Sequence, residues 1–76
     1  MTDEEGEYRR TIGKRVRVER VWRDLTQEQL AKKAGVTRNF ISAIERGDQG
    51  LDAFRLGRIA GALGLRLAEL LGEESR

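Results

Sequence analysis

An arginine and an asparagine stand side by side at positions 38 and 39, directly behind a threonine, Thr37. An arginine can give two hydrogen bonds to O6 and N7 of a guanine, and an asparagine can pair in the same two-point way with N6 and N7 of an adenine, if a helix carries them into a major groove. Thr37, Ser42, Ala43 and Arg46 share the same side of that segment, away from Ile41 and Ile44. Taken alone, an Arg and an Asn behind a cap are ordinary solvated residues, so the pair gains meaning only from the elements that position it. Other chemistries are closed off. The 76 residues include no histidine and no cysteine, which removes disulfides, thiolate and imidazole zinc ligands, the commonest general base and the best side-chain nucleophile. Carboxylates, lysines, two serines and one tyrosine remain. The chain is therefore not expected to be an enzyme or to hold a metal or cofactor.

The charges are sorted along the chain. Residues 1–8 hold Asp3, Glu4, Glu5 and Glu7 and no base, whereas residues 9–23 hold seven bases against Glu19 alone. Without the acidic start and the last four residues, the remainder carries 14 bases and 7 acids, a balance that suits either a polyanionic partner or a solvated basic helix face. The length leaves room for one small domain. No apolar run approaches the roughly 18–20 residues of a membrane span, and Met1 is followed by acids rather than by a basic leader. A soluble, cytoplasmic protein is expected.

Local punctuation places the elements. Residues 1–8 lack periodic apolar positions and are expected to form a flexible acidic segment ahead of a domain at 9–72, with 73–76 as a short tail. Ile12, Val16, Val21 and Leu25 recur at spacings of four and five, which predicts a first helix over about 9–23 with these residues inward. Thr26, with Gln29 three residues on, forms a capping-box pattern and predicts a second helix over 27–34, stopped by Gly35. Thr37 then caps a third over 38–46, anchored by Ile41 and Ile44 and stopped by Gly47. Asp52 opens a fourth over 53–63, with Leu56, Ile59, Ala60 and Leu63 inward. Gly57 and Gly61 inside it each cost roughly 1 kcal/mol relative to alanine, so this helix depends on tertiary packing. A fifth, short helix over 67–71 precedes Gly72. Strand-like alternation is absent, and the expected fold is an all-α, compact five-helix bundle.

The stretch TQEQLAKKAGVTRNFISAIERG, from Thr26 to Gly47, resembles the helix-turn-helix of the phage repressor and Cro family, also called the Xre family. Gln27 starts its first helix, Leu30 and Ala31 point inward, Gly35 makes the turn above Val36, and Ile41 and Ile44 anchor the second helix. The resemblance runs from Ile12 to Leu71, because RIAGALGLRLAELL is similar to the last two helices of such domains. It implies a lambda-repressor-like bundle and a sequence-specific DNA-binding transcriptional regulator, acting as a homodimer on a palindromic operator with helix three in the major groove. Base contacts are then expected from Arg38, Asn39, Ser42, Ala43 and Thr37. Phosphate contacts are expected from Gln27 at the start of helix two, and from Arg46, Lys14, Arg17 and Arg10. The resemblance also implies that Arg20 and Glu45 tie helix one to helix three. One departure stands out: many relatives carry Lys or Arg just after the closing glycine, where this chain has Asp48 and Gln49, which weakens the expectation of backbone contact by that loop.

Small proteins of this kind resemble restriction-modification controllers, phage or plasmid repressors and antitoxins, and LDAFRLGRIAGAL is like the controllers' sequence. The four leucines of LRLAELL exceed what one short helix needs to cover a small core. Leu67 and one of Leu65 or Leu71 are expected in a two-fold dimer contact, with Leu70 facing the core. Val18 and Trp22, at i and i+4, form an apolar stripe off the core face of helix one. Tyr8 or the C-terminal tail is expected to cover it, or else it meets another protein. That second possibility carries the alternative function, an antitoxin or protein-interaction module that binds a toxin or a polymerase component through the same fold.

Overall fold

The computed structural model describes residues 3–74. Its five helices are α1 (Asp3–Trp22), α2 (Gln27–Ala34), α3 (Arg38–Arg46), α4 (Ala53–Ala62) and α5 (Leu67–Leu70). The caps form where local chemistry predicts them. Thr26 Oγ1 accepts from the Gln29 backbone N–H at 3.0 Å while Gln29 Oε1 accepts from the Thr26 N–H at 2.8 Å, a closed capping box. Thr37 Oγ1 accepts from the Phe40 N–H at 3.0 Å and Asp52 Oδ1 from the Arg55 N–H at 2.8 Å. Gly35 and Gly47 end α2 and α3 with φ of 71° and 76°, a conformation that a Cβ disfavours.

α1 differs from the sequence expectation at both ends. It already runs from Asp3, so the described part of the acidic segment, read as flexible, is helical. Asp3, Glu4 and Glu5 fill its first turn, where negative charge is favoured by the helix dipole, and Arg9 pairs with Glu5 one turn away at 2.7 Å. At the other end Val21, expected inward, is 53% exposed. A step of four residues from Ile12 to Val16 turns about 40° around the helix, but the step of five to Val21 turns about 140° and leaves the core face. Leu25, beyond the helix, does pack against the core.

The core gathers one stripe from every helix: Ile12 and Val16, Leu30, Ala31 and Ala34, Phe40, Ile41 and Ile44, Leu56, Ile59, Ala60 and Leu63, then Leu65 and Leu70. α1 lies across α3, with α2 packed against α3 on one side and α4 on the other. The crossing is close. A Cβ on Gly13 would run into the carbonyl oxygen of Ile44 and stand 3.0 Å from that of Glu45, so only glycine lets the two backbones approach this way. No helix of the described residues is long and apolar enough to cross a membrane.

Candidate nucleic-acid interface

The outer side of α3 is built by subtraction. Phe40, Ile41 and Ile44 turn inward, so Asn39, Ser42 and Arg46, at i, i+3 and i+7, line up on the opposite side with Ala43 beside them. Arg38 and Asn39 are exposed, and neither side chain has a hydrogen-bond or ion-pair partner among the described residues. Thr37 is exposed with its hydroxyl engaged as the cap. Ser42 and Ala43 are half-buried. Arg46 donates to the Ser42 hydroxyl and, through Nε, to Asp48 at 2.9 Å. Its pair with Asp48 is well exposed on both sides and correspondingly weak. Asp48, noted in the sequence for the base it replaces, thus also holds part of the charge of Arg46.

The angle of α3 is held from its inner flank. Arg20 reaches from α1 to Glu45 with Nε to Oε2 at 2.7 Å and Nη2 to Oε1 at 3.0 Å, and donates from Nη1 to the Leu25 carbonyl at 2.7 Å. The side chains are 12% and 5% exposed. Gln27 Nε2 donates to the same Glu45 Oε1 at 3.1 Å. Its position at the start of α2 agrees with the sequence, but the amide is half-buried and bound to α3 rather than free. One carboxylate therefore joins α1, α2 and α3. The hydrogen bond to Glu45 raises the Arg20 pKa, burial opposes it, and the Glu45 charge adds to the rise; the guanidinium stays charged.

The basic residues of α1 divide. Arg10 is exposed and presses against the end of α3: a Cβ on Gly47 would lie 2.7 Å from Arg10 Cγ and 3.1 Å from its Cα. It stands next to the Arg46 and Asp48 end of α3's outer face. Lys14 and Arg17 are exposed too, but they border a groove with Val18, Val21, Trp22 and Asp24. The structure adds two cations that the sequence reading passed over. Arg55 lies 4.0 Å over the Phe40 ring and bonds Asp52 at 2.6 Å through Nε, while Arg58 lies 5.3 Å over Phe54. Both line a cleft with Val36 and Thr37 at the start of α3. The signal in the sequence was Arg55 three residues behind the capping Asp52, although Phe40 as its platform was not readable there.

Two expectations away from this surface change. Leu65 is buried in the chain's own core together with Leu70, so it is not free for a partner; Leu67 and Leu71 are partly buried against that core. Tyr8 lines a cleft with Leu51, Leu67 and Leu71 rather than covering α1's apolar stripe, and Val18 and Trp22 remain 56% and 82% exposed. Of the tail, Ser75 and Arg76 lie outside the described residues, while Glu74 pairs with Arg66.

A helix-turn-helix family model (HTH_3) matches residues 16–70. The immunity repressor protein of Bacillus phage phi105 is 40% identical over 65 residues, covering 86% of this chain and 45% of the repressor. The chain thus spans less than half of that relative's length. Among solved structures, the clp gene regulator ClgR of Corynebacterium glutamicum aligns with a TM-score of 0.80 and 29% identity over 87% of this chain and 70% of that one. The restriction-modification controller protein C.AhdI of Aeromonas hydrophila aligns with a TM-score of 0.77 and 32% identity over 79% and 91%.

Proposed function

Because this chain belongs to the helix-turn-helix family of DNA-binding transcriptional regulators, we propose that it binds a palindromic operator as a homodimer, with α3 in the major groove, and acts in the cytoplasm. The observation that carries this reading is the contrast on α3 between a flank locked by Glu45 and an outer face on which Arg38 and Asn39 are exposed and unpartnered. Side chains held on a rigid helix without internal bonds lose none when they meet base edges, and the locked flank keeps the helix at one angle. Arg38 and Asn39 read bases, with Thr37, Ser42 and Ala43 close against them.

Phosphates meet the N–H groups at the start of α2 beside Gln27, Arg46 once it exchanges Asp48 for a stronger anion, and Arg10 at the far end of α3. Arg55 supplies a further contact beside Thr37, with Lys14 and Arg17 as outlying ones. A single module reads few base pairs, so discrimination requires two copies. Leu67 and Leu71 form the two-fold contact in this reading, placing the two α3 helices about one DNA turn, roughly 34 Å, apart.

Selection of sites from random duplex DNA by the purified protein tests it. The expected result is a symmetric consensus with half-sites one helical turn apart, bound with an affinity that falls steeply as salt rises. Recovery of no consensus, or binding indifferent to salt, overturns the reading and favours the protein-interaction alternative.

A further inference from the structure

The charges in and just beyond α1 include paired and unpaired ones. Arg9, Arg20 and Arg23 pair with Glu5, Glu45 and Glu19. Lys14, Arg17 and Asp24 have no ion-pair partner among the described residues, and all three border the groove that holds Val18, Val21 and Trp22. Those three apolar side chains are 56%, 53% and 82% exposed, and Trp22 is the kind of residue that anchors protein contacts.

The patch is ordered along the chain: cations at 14 and 17, apolar residues at 18, 21 and 22, and an anion at 24. At 1.5 Å per residue Lys14 and Trp22 are roughly 12 Å apart along α1, and Asp24 follows in the turn just beyond the helix end. Turned about a two-fold axis midway between Val18 and Val21, the patch meets its own complement. Val18 faces the second copy's Val21, and, because an antiparallel two-fold sets like flanks of the two helices together, Trp22 comes beside the second copy's Trp22 while Lys14 and Arg17 come to the second copy's Asp24. Reciprocity of this sort is what an isologous contact demands, whereas a foreign acidic segment would set a like charge against Asp24.

We infer that the second half of α1 is a self-association surface, occupied by the same half of α1 from another copy in antiparallel orientation. It is separate from the α5 contact, and it uses Lys14 and Arg17, which the proposed function counts as outlying phosphate contacts. Its six bordering residues per copy fall short of the roughly 20–30 a side of a standard interface. The pairing is therefore weak in dilute solution and takes hold where another link raises the effective concentration. With α5 joining copies in pairs, it links pair to pair.

Sedimentation of the DNA-free full chain, from tens of micromolar to millimolar, is the test; without DNA, phosphate contacts of Lys14 and Arg17 do not enter. The native chain should show a concentration-dependent association step, and Trp22→Ala, at an exposed site that leaves the melt unchanged, should weaken that step at least tenfold. Asp24→Lys alone and the double change Lys14→Asp with Arg17→Asp should each abolish it, while an equimolar mixture of the two variants should restore it. Asp24 has a φ of +56°, which lysine tolerates poorly and asparagine well, so Asp24→Asn, expected to weaken the step several-fold, serves if the lysine variant does not fold. Trp22→Ala associating like the native chain, Asp24 variants associating like it, or a mixture that stays dissociated would each overturn the proposal.

Discussion

Gly13 and the pair Gly57 and Gly61 are all glycines inside helices, and they lie in opposite surroundings. At Gly13, where α1 crosses α3, an added Cβ meets backbone carbonyls; at Gly57 and Gly61, on the outer side of α4, it meets nothing within 4 Å. The same contrast holds for polar groups. The crossing is bound by a shared, nearly buried carboxylate that touches three helices, while the ion pair at the start of α4, between Asp52 and Arg55, is substantially open to water. The molecule thus concentrates its geometric precision behind α3 and leaves the outside of α4 loose.

Breaking the crossing should cost most. Arg20→Ala leaves Glu45 with only Gln27 in a nearly dry site, and a loss of about 3 kcal/mol is expected in urea unfolding, near the lower end for broken buried pairs because Arg20 keeps some water contact. A loss below about 1 kcal/mol would place this pair with ordinary surface pairs. Gly13→Ala forces α1 away from α3 and should cost about 2–3 kcal/mol, with DNA affinity falling as α3 loses its angle. A variant as stable as the native chain would show that the crossing is not close-packed.

On the outer face of α3, Arg38→Ala and Asn39→Ala should leave the melt almost unchanged while removing about 1–3 kcal/mol of discrimination at one position in each half-site. Equal losses on operator and random DNA would move the residue to the phosphate class. The loose side should respond in the opposite direction. Gly57→Ala and Gly61→Ala should each raise stability by up to about 1 kcal/mol, since the helix gains propensity and nothing is displaced; destabilisation would reveal a contact on that face.

The smallest effect concerns Asp52, whose pKa is lowered from 3.8 by hydrogen bonds from the Arg55 backbone and side chain. A carboxyl lowered in the folded state contributes its stability fully above 3.8 and loses it as pH falls through the lower folded value. The melting difference between the native chain and Asp52→Asn should be constant near neutrality and should shrink below about pH 3.8. A difference that persists in strong acid would mean that the charge plays no part in the cap.

Glycine types were legible without the surroundings that distinguish them. The turn glycines at 35 and 47 could be read because a helix pattern opened by a threonine cap ends just before each, but Gly13 carries no local signature; its partner oxygens belong to residues 44 and 45. The candidate surface divides in the same way. Arg38 and Asn39 were readable from their place behind Thr37, and the Arg20 pair from a resemblance, whereas the claim of Gln27 on the same carboxylate depends on where α2 comes to rest. Val21 was misjudged because one residue of spacing decides which side of a helix faces the core, and of the alternatives Leu65 and Leu71 it is Leu65 that lies in the chain's own core.

The sequence by itself determined the number and order of the helices and nearly all their ends, because a cap, a stop or a spacing of three and four acts among neighbours within one turn. Tertiary structure alone decided which glycine is indispensable, which arginine is locked and which stays open to a partner. Those outcomes depend on groups such as Arg20 and Glu45, 25 residues apart in the chain, whose meeting is dictated by how whole helices pack and not by anything either residue has beside it.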